Sequence, residues 1–437
     1  MLALVIGRHH IGEMLISRDP SLAVMVNGGS HRAWSAHAER LIANAGEDTR
    51  QRAEAEAAAR RAIARNPIDH AAFRVLGRAS AEREDVGAAD LYFDAAWRRS
   101  RRDTPTALWW FYRSLQDGNF ERAFASADSV LRRRNETRES LYPIISAVVA
   151  TDEQALSPLV ARLRFAPRWR DSFIQHYTDE AASAAGPYRL IDALRRGNSA
   201  PTDREMGYYL ARLTREGSYQ AAYVAWAQHL PADRHDGLSL VYDGDFENAP
   251  GIPPFDWRLS PLPQALLEIA GSPQREGSAL YVEYSGTTAA PWLVEQMLVL
   301  PAGDYVLGVD VLVESLDETD RMIWTVRCER GPVLLELRVP DRATTWQRLQ
   351  GGIRVPAEGC PAQRLMLRAV PGDILAPMVV WVDALSVERG TFVAPEASES
   401  AVRADPAPAP AAPATARPDF DLSIGAARTE AEPGSPS

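Results

Sequence analysis

Ala55, Ala89 and Ala123 stand 34 residues apart, each in a run whose small and apolar residues recur at helical spacing. Phe73-x-x-Leu76-Gly77-x-x-Ser80 leads into Ala89-x-x-x-Phe93 and Ala96. Ala55-x-x-x-Ala59, with Ala62 and Pro67, precedes it, and Gly118-Asn119-Phe120-Glu121-Arg122-Ala123 follows. Self-similarity at a fixed period of this length means that one helical unit is stacked repeatedly, because a single helix pair cannot bury its apolar face alone. The small residues fit the points where the two helices of a unit cross, since a larger side chain would hold the backbones apart. Gly118 supplies the turn between helices.

The pattern resembles the tetratricopeptide family over residues 36–135, with departures. Arg101 and Asn135 stand where Pro67 stands one unit earlier, and Phe111 replaces the small Gly77. Helical patterning continues through 141–150, 154–165 and 169–177. It resumes in a clearer hairpin, 205–216 and 219–230, whose turn at Gly217 echoes that at Gly118. The expectation is an α-solenoid over 31–235, and the resemblance implies that it docks a protein partner.

The same period sets Arg65, Arg99 and Arg133 in one row and Arg98 and Arg132 in another, at the C-terminal ends of successive second helices. Two readings stay open. Each cation complements its own negative helix end, by roughly 0.3–1 kcal/mol. Alternatively the row attracts an anionic partner: an acidic polysaccharide, phospholipid headgroups, an acidic protein segment, or the acidic part of a second copy in self-association.

Near 231–237 the helical period gives way to alternation, which marks a domain boundary. From 238 on, short β-rich runs recur between turn signals, at 280–284, 294–300, 305–313, 322–328, 333–339, 346–355, 365–370 and 378–387. That is the pattern of an antiparallel β-sandwich, assigned to 238–391. Residues 392–437 collapse to Ala, Pro, Ser and acidic side chains, too few of them apolar to offset chain entropy, and are read as a disordered tail. The two cysteines, Cys328 and Cys360, both fall in the β-rich part. They form either a disulfide, which would indicate an oxidising compartment, or two buried free thiols.

Three segments of the β-rich part resemble the jelly-roll carbohydrate-binding modules and their galactose-binding-like relatives. They are Val241-Tyr242-Asp243-Gly244-Asp245-Phe246-Glu247 with Phe255-Asp256-Trp257, then Leu300-Pro301-Ala302-Gly303-Asp304-Tyr305, and Val380-Trp381-Val382-Asp383. The resemblance implies a jelly roll, a glycan ligand, and a structural Ca²⁺ held by Asp245, Glu247 and Asp383. Asp243 stands where that family commonly has Asn, and Ala384 where a second acid is common. The alternative is that these carboxylates are solvated or accept backbone amides. A pyranose would stack on an exposed aromatic ring. Trp257 and Trp292 are the candidates, Trp292 in the loop-like Thr288-Ala289-Ala290-Pro291-Trp292. Trp324, Trp346 and Trp381 lie within alternating strands and are expected in the core.

At 437 residues, 46% hydrophobic and 24% charged, the chain has the composition of a globular protein of more than one domain. Its net charge of −10 is uneven: residues 1–235 carry 33 Arg against 29 Asp plus Glu, and the rest 15 against 29, with no Lys anywhere. That basic excess is too small to point to nucleic acid. The opening Met1-Leu2-Ala3-Leu4-Val5-Ile6 is cut by Gly7-Arg8-His9-His10, short of the roughly 20 residues of a membrane span and without signal-peptide flanks. Residues 1–30 are read as a lead segment, such as would remain after a lost membrane anchor. No G-x-S-x-G elbow, phosphate loop, dinucleotide fingerprint or H-E-x-x-H occurs, and Gly28-Gly29-Ser30-His31 reads as a polar turn. The expectation is a non-catalytic scaffold of the cell envelope or periplasm, accessory to polysaccharide assembly or export. The alternatives are a purely protein-binding scaffold with a structural β-domain and, third, a polysaccharide hydrolase with unrecognised carboxylates.

Overall fold

The computed structural model describes residues 10–285, 289–315, 321–370 and 378–392. The apolar opening and the segment read as a disordered tail, from 393 on, lie outside the described residues. A short helix α1 (Pro20–Val26) within the expected lead segment packs on the first of three hairpins: α2 and α3 (His31–Asn44, Thr49–Arg65), α4 and α5 (His70–Glu82, Val86–Arg99), α6 and α7 (Thr104–Gln116, Phe120–Leu131). Irregular helices follow, α8 (Arg138–Thr151), α9 (Leu156–Leu163), α10 (Arg170–Glu180) and α11 (Ala185–Arg196), and then a last hairpin, α12 and α13 (Asp203–Arg215, Tyr219–Ala227). Among the described residues no single helix is long and apolar enough to cross a membrane.

The 34-residue period is written into the helix caps. Asp69 and Asp103 start the first helices of successive hairpins, accepting the amides of Ala71 and Ala72 and of Thr106. Asp85 and Asn119, again one period apart, start the second helices and accept the amides of Ala88 and Arg122. Each such cap stabilises its helix by about 1 kcal/mol relative to Ala. Gly118 and Gly217 take φ of +68° and +79° at the hairpin turns, a region that L side chains avoid. The departure at Phe111 is compensated. A Cβ on Gly77 would lie 2.8 Å from Phe93, so the first unit sets small against large. One period later the same two positions are Phe111 and Ala127, both buried, and the bulk has changed sides.

The β-half is a jelly-roll sandwich of two five-stranded antiparallel sheets. The first has the order β1-β4-β9-β6-β7, with β1 Arg258–Leu259, β4 Ala290–Leu298, β6 Met322–Cys328, β7 Val333–Arg338 and β9 Gln363–Ala369. The second has the order β2-β3-β10-β5-β8, with β2 Ala265–Gly271, β3 Ser278–Tyr284, β5 Gly303–Ser315, β8 Ala343–Val355 and β10 Met378–Arg389. Every expected β run is a strand. β1 and β2 were not expected, one being two residues long and the other preceded by Pro261 and Pro263. Alternate residues of β5 (Tyr305, Leu307, Val309, Val311, Val313) meet Trp324, Val326, Leu365 and Leu367 in the core between the sheets. Cys328 and Cys360 form a disulfide that fastens the end of β6 to the loop before β9.

Helices and sandwich share a core. Met206, Leu210, Leu213 and Trp226 of the last hairpin pack with Tyr242, Ile252, Phe255, Met297 and Ala362 of the β-half. The opening and closing motifs meet directly: Leu385 donates its amide to Gly244 O at 2.7 Å, while Asp243 and Ala384 take φ of +50° and +47°. A Cβ on Gly244 would fall 1.8 Å from the Leu385 carbonyl oxygen, so this residue has to be glycine. Gly244→Ala is expected to destabilise the protein by about 2–4 kcal/mol through a backbone displacement. Urea denaturation of the full chain checks this, and a shift under 0.5 kcal/mol would contradict it.

Candidate functional site

The two arginine rows exist, but their guanidinium groups have partners. Arg99 donates to Ala95 O one turn back and to Pro67 O in the preceding unit, both at 2.8 Å. Arg133 reaches back the same 32 residues to Arg101 O at 3.4 Å, and Arg65 donates to Arg61 O at 2.8 Å. Arg98 and Arg132 pair with Asp94 and Asp128 at 2.7 and 2.8 Å. The rows therefore complement helix ends and stitch one hairpin to the next, which leaves less of them for an anionic partner.

Trp257 does not offer a ring to solvent. It is 1% exposed, stacks on Phe246, meets Trp324 edge to face, and donates Nε1–H to Asp243 O at 2.8 Å. Its place is the core, because the opening motif folds under the sandwich. Trp292 is half-buried in β4 rather than in a loop, beside a bulge between Ala290 and Val294, and the Arg258 guanidinium covers its ring at 4.7 Å. The carboxylates assigned to Ca²⁺ have other neighbours. Asp245 is exposed, Glu247 accepts the Ser278 amide at 2.9 Å, and Asp383 lies 3.6 Å from Arg275 and accepts the Ala384 amide. Among the described residues no group of three or more His, Cys, Asp and Glu side chains is arranged to hold a metal ion.

Trp346 and Trp381, expected in the core, are half-buried on an outer face instead. In β10, Val380 and Val382 point inward, so Trp381 between them points out from the second sheet. Register aligns Glu268 of β2, Tyr281 of β3 and Trp381 in one row. The two rings meet edge to face at 4.9 Å. Trp381 Nε1 donates to Glu314 at 2.7 Å, and Tyr281 OH donates to Glu283 at 2.8 Å. Burial, then the Glu283 hydrogen bond and the charges of Glu283, Glu314 and Glu268, push the Tyr281 hydroxyl up to about 12. Trp346 stands on the same face, half-buried, with Arg275 over its ring at 4.4 Å and its Nε1 on Pro273 O. The result is an aromatic pair rimmed by carboxylates.

The first sheet turns its outer face to the helices, and a cavity of about 650 Å³ lies between them. Its floor is a chain of ion pairs. Glu295 of β4 accepts from Arg258 of β1 at 3.1 Å and from Arg364 of β9 at 2.9 Å, and Arg364 donates to Glu329 at 2.9 and 2.6 Å. One wall is the Gly207, Tyr208 and Ala211 face of α12, and the lip is Gly251–Pro254. Arg330 crosses the junction to Arg215 O at 3.2 Å. Nothing in the sequence marked these residues, because charges on an outward strand position read as solvated.

No protein-family model matches the sequence, and no curated protein matches it. Solved structures similar to the β-half include a CBM4 module, at 11% identity and a TM-score of 0.26, covering 34% of this chain and 99% of that one. A CBM22-1 xylan-binding domain from Paenibacillus barcinonensis is similar at 15% identity and a TM-score of 0.26, covering 34% and 94%. A family 16 carbohydrate-binding module is similar at 16% identity and a TM-score of 0.26, covering 35% and 100%. Likeness at this level leaves ligand and site to be argued from the side chains.

Beneath the cavity lip, Asp256 is 1% exposed, and burial pushes its carboxyl up to about 6. In the unfolded chain it titrates near 3.9. The folded state therefore holds a proton that the unfolded state lacks between about pH 4 and 6, and stability falls as pH rises through that window. Asp256→Asn is expected to raise stability at pH 7 by about 2 kcal/mol and to flatten the profile between pH 4 and 7. Urea midpoints at both pH values check it.

Proposed function

We propose that this chain is a non-catalytic glycan-binding scaffold of the cell envelope, with helical repeats of the tetratricopeptide type that dock a protein partner. In this reading the sandwich contacts the glycan through the outer face of its second sheet, as an accessory to polysaccharide assembly or export. The observation that carries it is the Tyr281–Trp381 pair rimmed by Glu268, Glu283 and Glu314. Pyranose rings present C–H faces that pack on aromatic rings and hydroxyls that donate to carboxylates, and the platform offers both across neighbouring strands. No Arg pairs with these three carboxylates among the described residues, and beyond the one ring-borne proton that Glu283 and Glu314 each accept, their remaining lone pairs are open to a ligand.

Two further features support the wider reading. The disulfide fits an oxidising compartment such as a periplasm. Along the hairpins a groove of about 480 Å³ exposes Tyr112 beside Trp109, Phe93 and Val75, the mixed aromatic and aliphatic lining that suits an extended or helical protein segment.

Calorimetric titration of the full chain with cello-, xylo- and galacto-oligosaccharides tests the glycan reading. Trp381→Ala is expected to weaken the best ligand about tenfold, with an unchanged melting temperature because the ring lies outside the core. Affinity equal to the unsubstituted protein would remove the platform from the function. Absence of binding to every glycan, with a stable protein partner co-purifying, would select a scaffold whose β-domain is structural.

A further inference from the structure

The cavity between the last helical hairpin and the first sheet is a second and chemically different surface, independent of the platform on the opposite sheet. Its size falls in the range of roughly 300–1,000 Å³ common for ligand sites. It is not a packing defect between two halves free to close. Trp226 meets Tyr242 edge to face at 4.9 Å and lies 5.7 Å from Phe255. Met297 donates its amide to Pro254 O at 2.7 Å, and Gln296 bonds both the amide and the carbonyl of Tyr242. Helices and sheet are thus held at a set separation on one side of the cavity. The space is made by composition, since α12 faces the sheet with Gly207 and Ala211. At Gly77 a Cβ would clash with Phe93, whereas at Gly207 the nearest heavy atom would be Ile252 Cγ2 at 3.8 Å. A Cβ there would make only an ordinary van der Waals contact, so no close approach of the two halves requires this glycine.

The lining is cationic. Five arginines (204, 215, 258, 330 and 364) face three carboxylates, Asp203, Glu295 and Glu329. All three are already engaged: Glu295 by Arg258 and Arg364, Glu329 by Arg364, and Asp203 by His229 at 3.1 Å. Arg330 makes no ion pair among the described residues, and its one bond is to the Arg215 carbonyl. Arg258 gives Glu295 only one of its nitrogens, is half exposed, and lies over Trp292 at the rim. Tyr208, Ile252, Pro254 and Met297 supply apolar surface between these charges. Guanidinium forks beside apolar walls match a ring that carries a carboxylate.

We infer that this junction cavity binds a carboxylate-bearing sugar of an acidic glycan, with Arg330 and Arg258 on the carboxylate and Tyr208, Pro254 and Met297 against the sugar ring. Neither half alone forms the site, because α12 supplies one wall and β1, β4 and β9 the floor.

The test uses the full chain and a galacturonic acid tetramer, with a neutral galactose tetramer and hexaglutamate as comparisons. Binding of the uronate is expected to weaken about tenfold or more in Arg330→Ala. It should be lost in Ala211→Trp, which fills the cavity, and should fall as NaCl is raised from 0.05 to 0.3 M by about threefold or more. Trp381→Ala should leave it unchanged, which separates this site from the platform. Retention of the melting temperature and of platform binding by Ala211→Trp shows that the variant is folded. Uronate affinity unaffected by both cavity substitutions overturns the inference, as does equal affinity for the neutral tetramer or for hexaglutamate.

Discussion

Trp226 is wholly buried against Tyr242 and Phe255, and through it the last helical hairpin and the opening motif of the sandwich share one core. A repeat array ordinarily ends in a capping unit with a polar outer face. Here the array ends on a β-sandwich, which serves as its cap. Because the aromatic cluster fixes α12 and α13 against β4 and the loop before β1, the orientation of every hairpin is referred to the sheets. The junction cavity, and the separation of its two walls, follow from that fixed geometry.

The helical half shows how a period can be kept while its residues change. Gly77 with Phe93 and Phe111 with Ala127 conserve volume by exchanging sides. The arginine rows illustrate a related point. A row of cations at repeat spacing looks like an anion track, yet the spacing that aligns them also brings each within reach of the preceding unit's free carbonyls, as Arg99 with Pro67 and Arg133 with Arg101. Unpaired carbonyls at helix ends need donors, and the arginines supply them.

What could be read from the chain alone divides along physical lines. Hairpins, turn glycines and eight strands were legible because they follow from local periodicity and turn chemistry. Trp381 was misplaced although the information was present: Val380 and Val382 cannot point inward unless Trp381 points out. Trp257 was misplaced for a different reason, since its burial depends on Gly244 letting the opening motif meet Leu385 across 141 residues of sequence. The floor of the cavity was not legible at all. Arg258, Glu295 and Arg364 meet only through sheet register, and isolated charges on outward strand positions carry no sign of one another.

Sheet parity puts the carboxylates around Tyr281 and Trp381 on one outer face of the sandwich and the Arg258–Glu295–Arg364–Glu329 chain on the other. Salt screens in the solvent around the domain, with a length of about 8 Å at physiological ionic strength, so a ligand senses mainly the charges of the face it approaches. Each face therefore presents its own local potential instead of an average over the domain. On the reading proposed above, a polyanion meets like charge at the platform and guanidinium groups at the junction, whereas a neutral chain is held by ring contacts alone. On that reading, discrimination between the two kinds of ligand needs no moving part. It follows from which side of each strand carries the charge, and from a helical wall that covers only one of the two sheets.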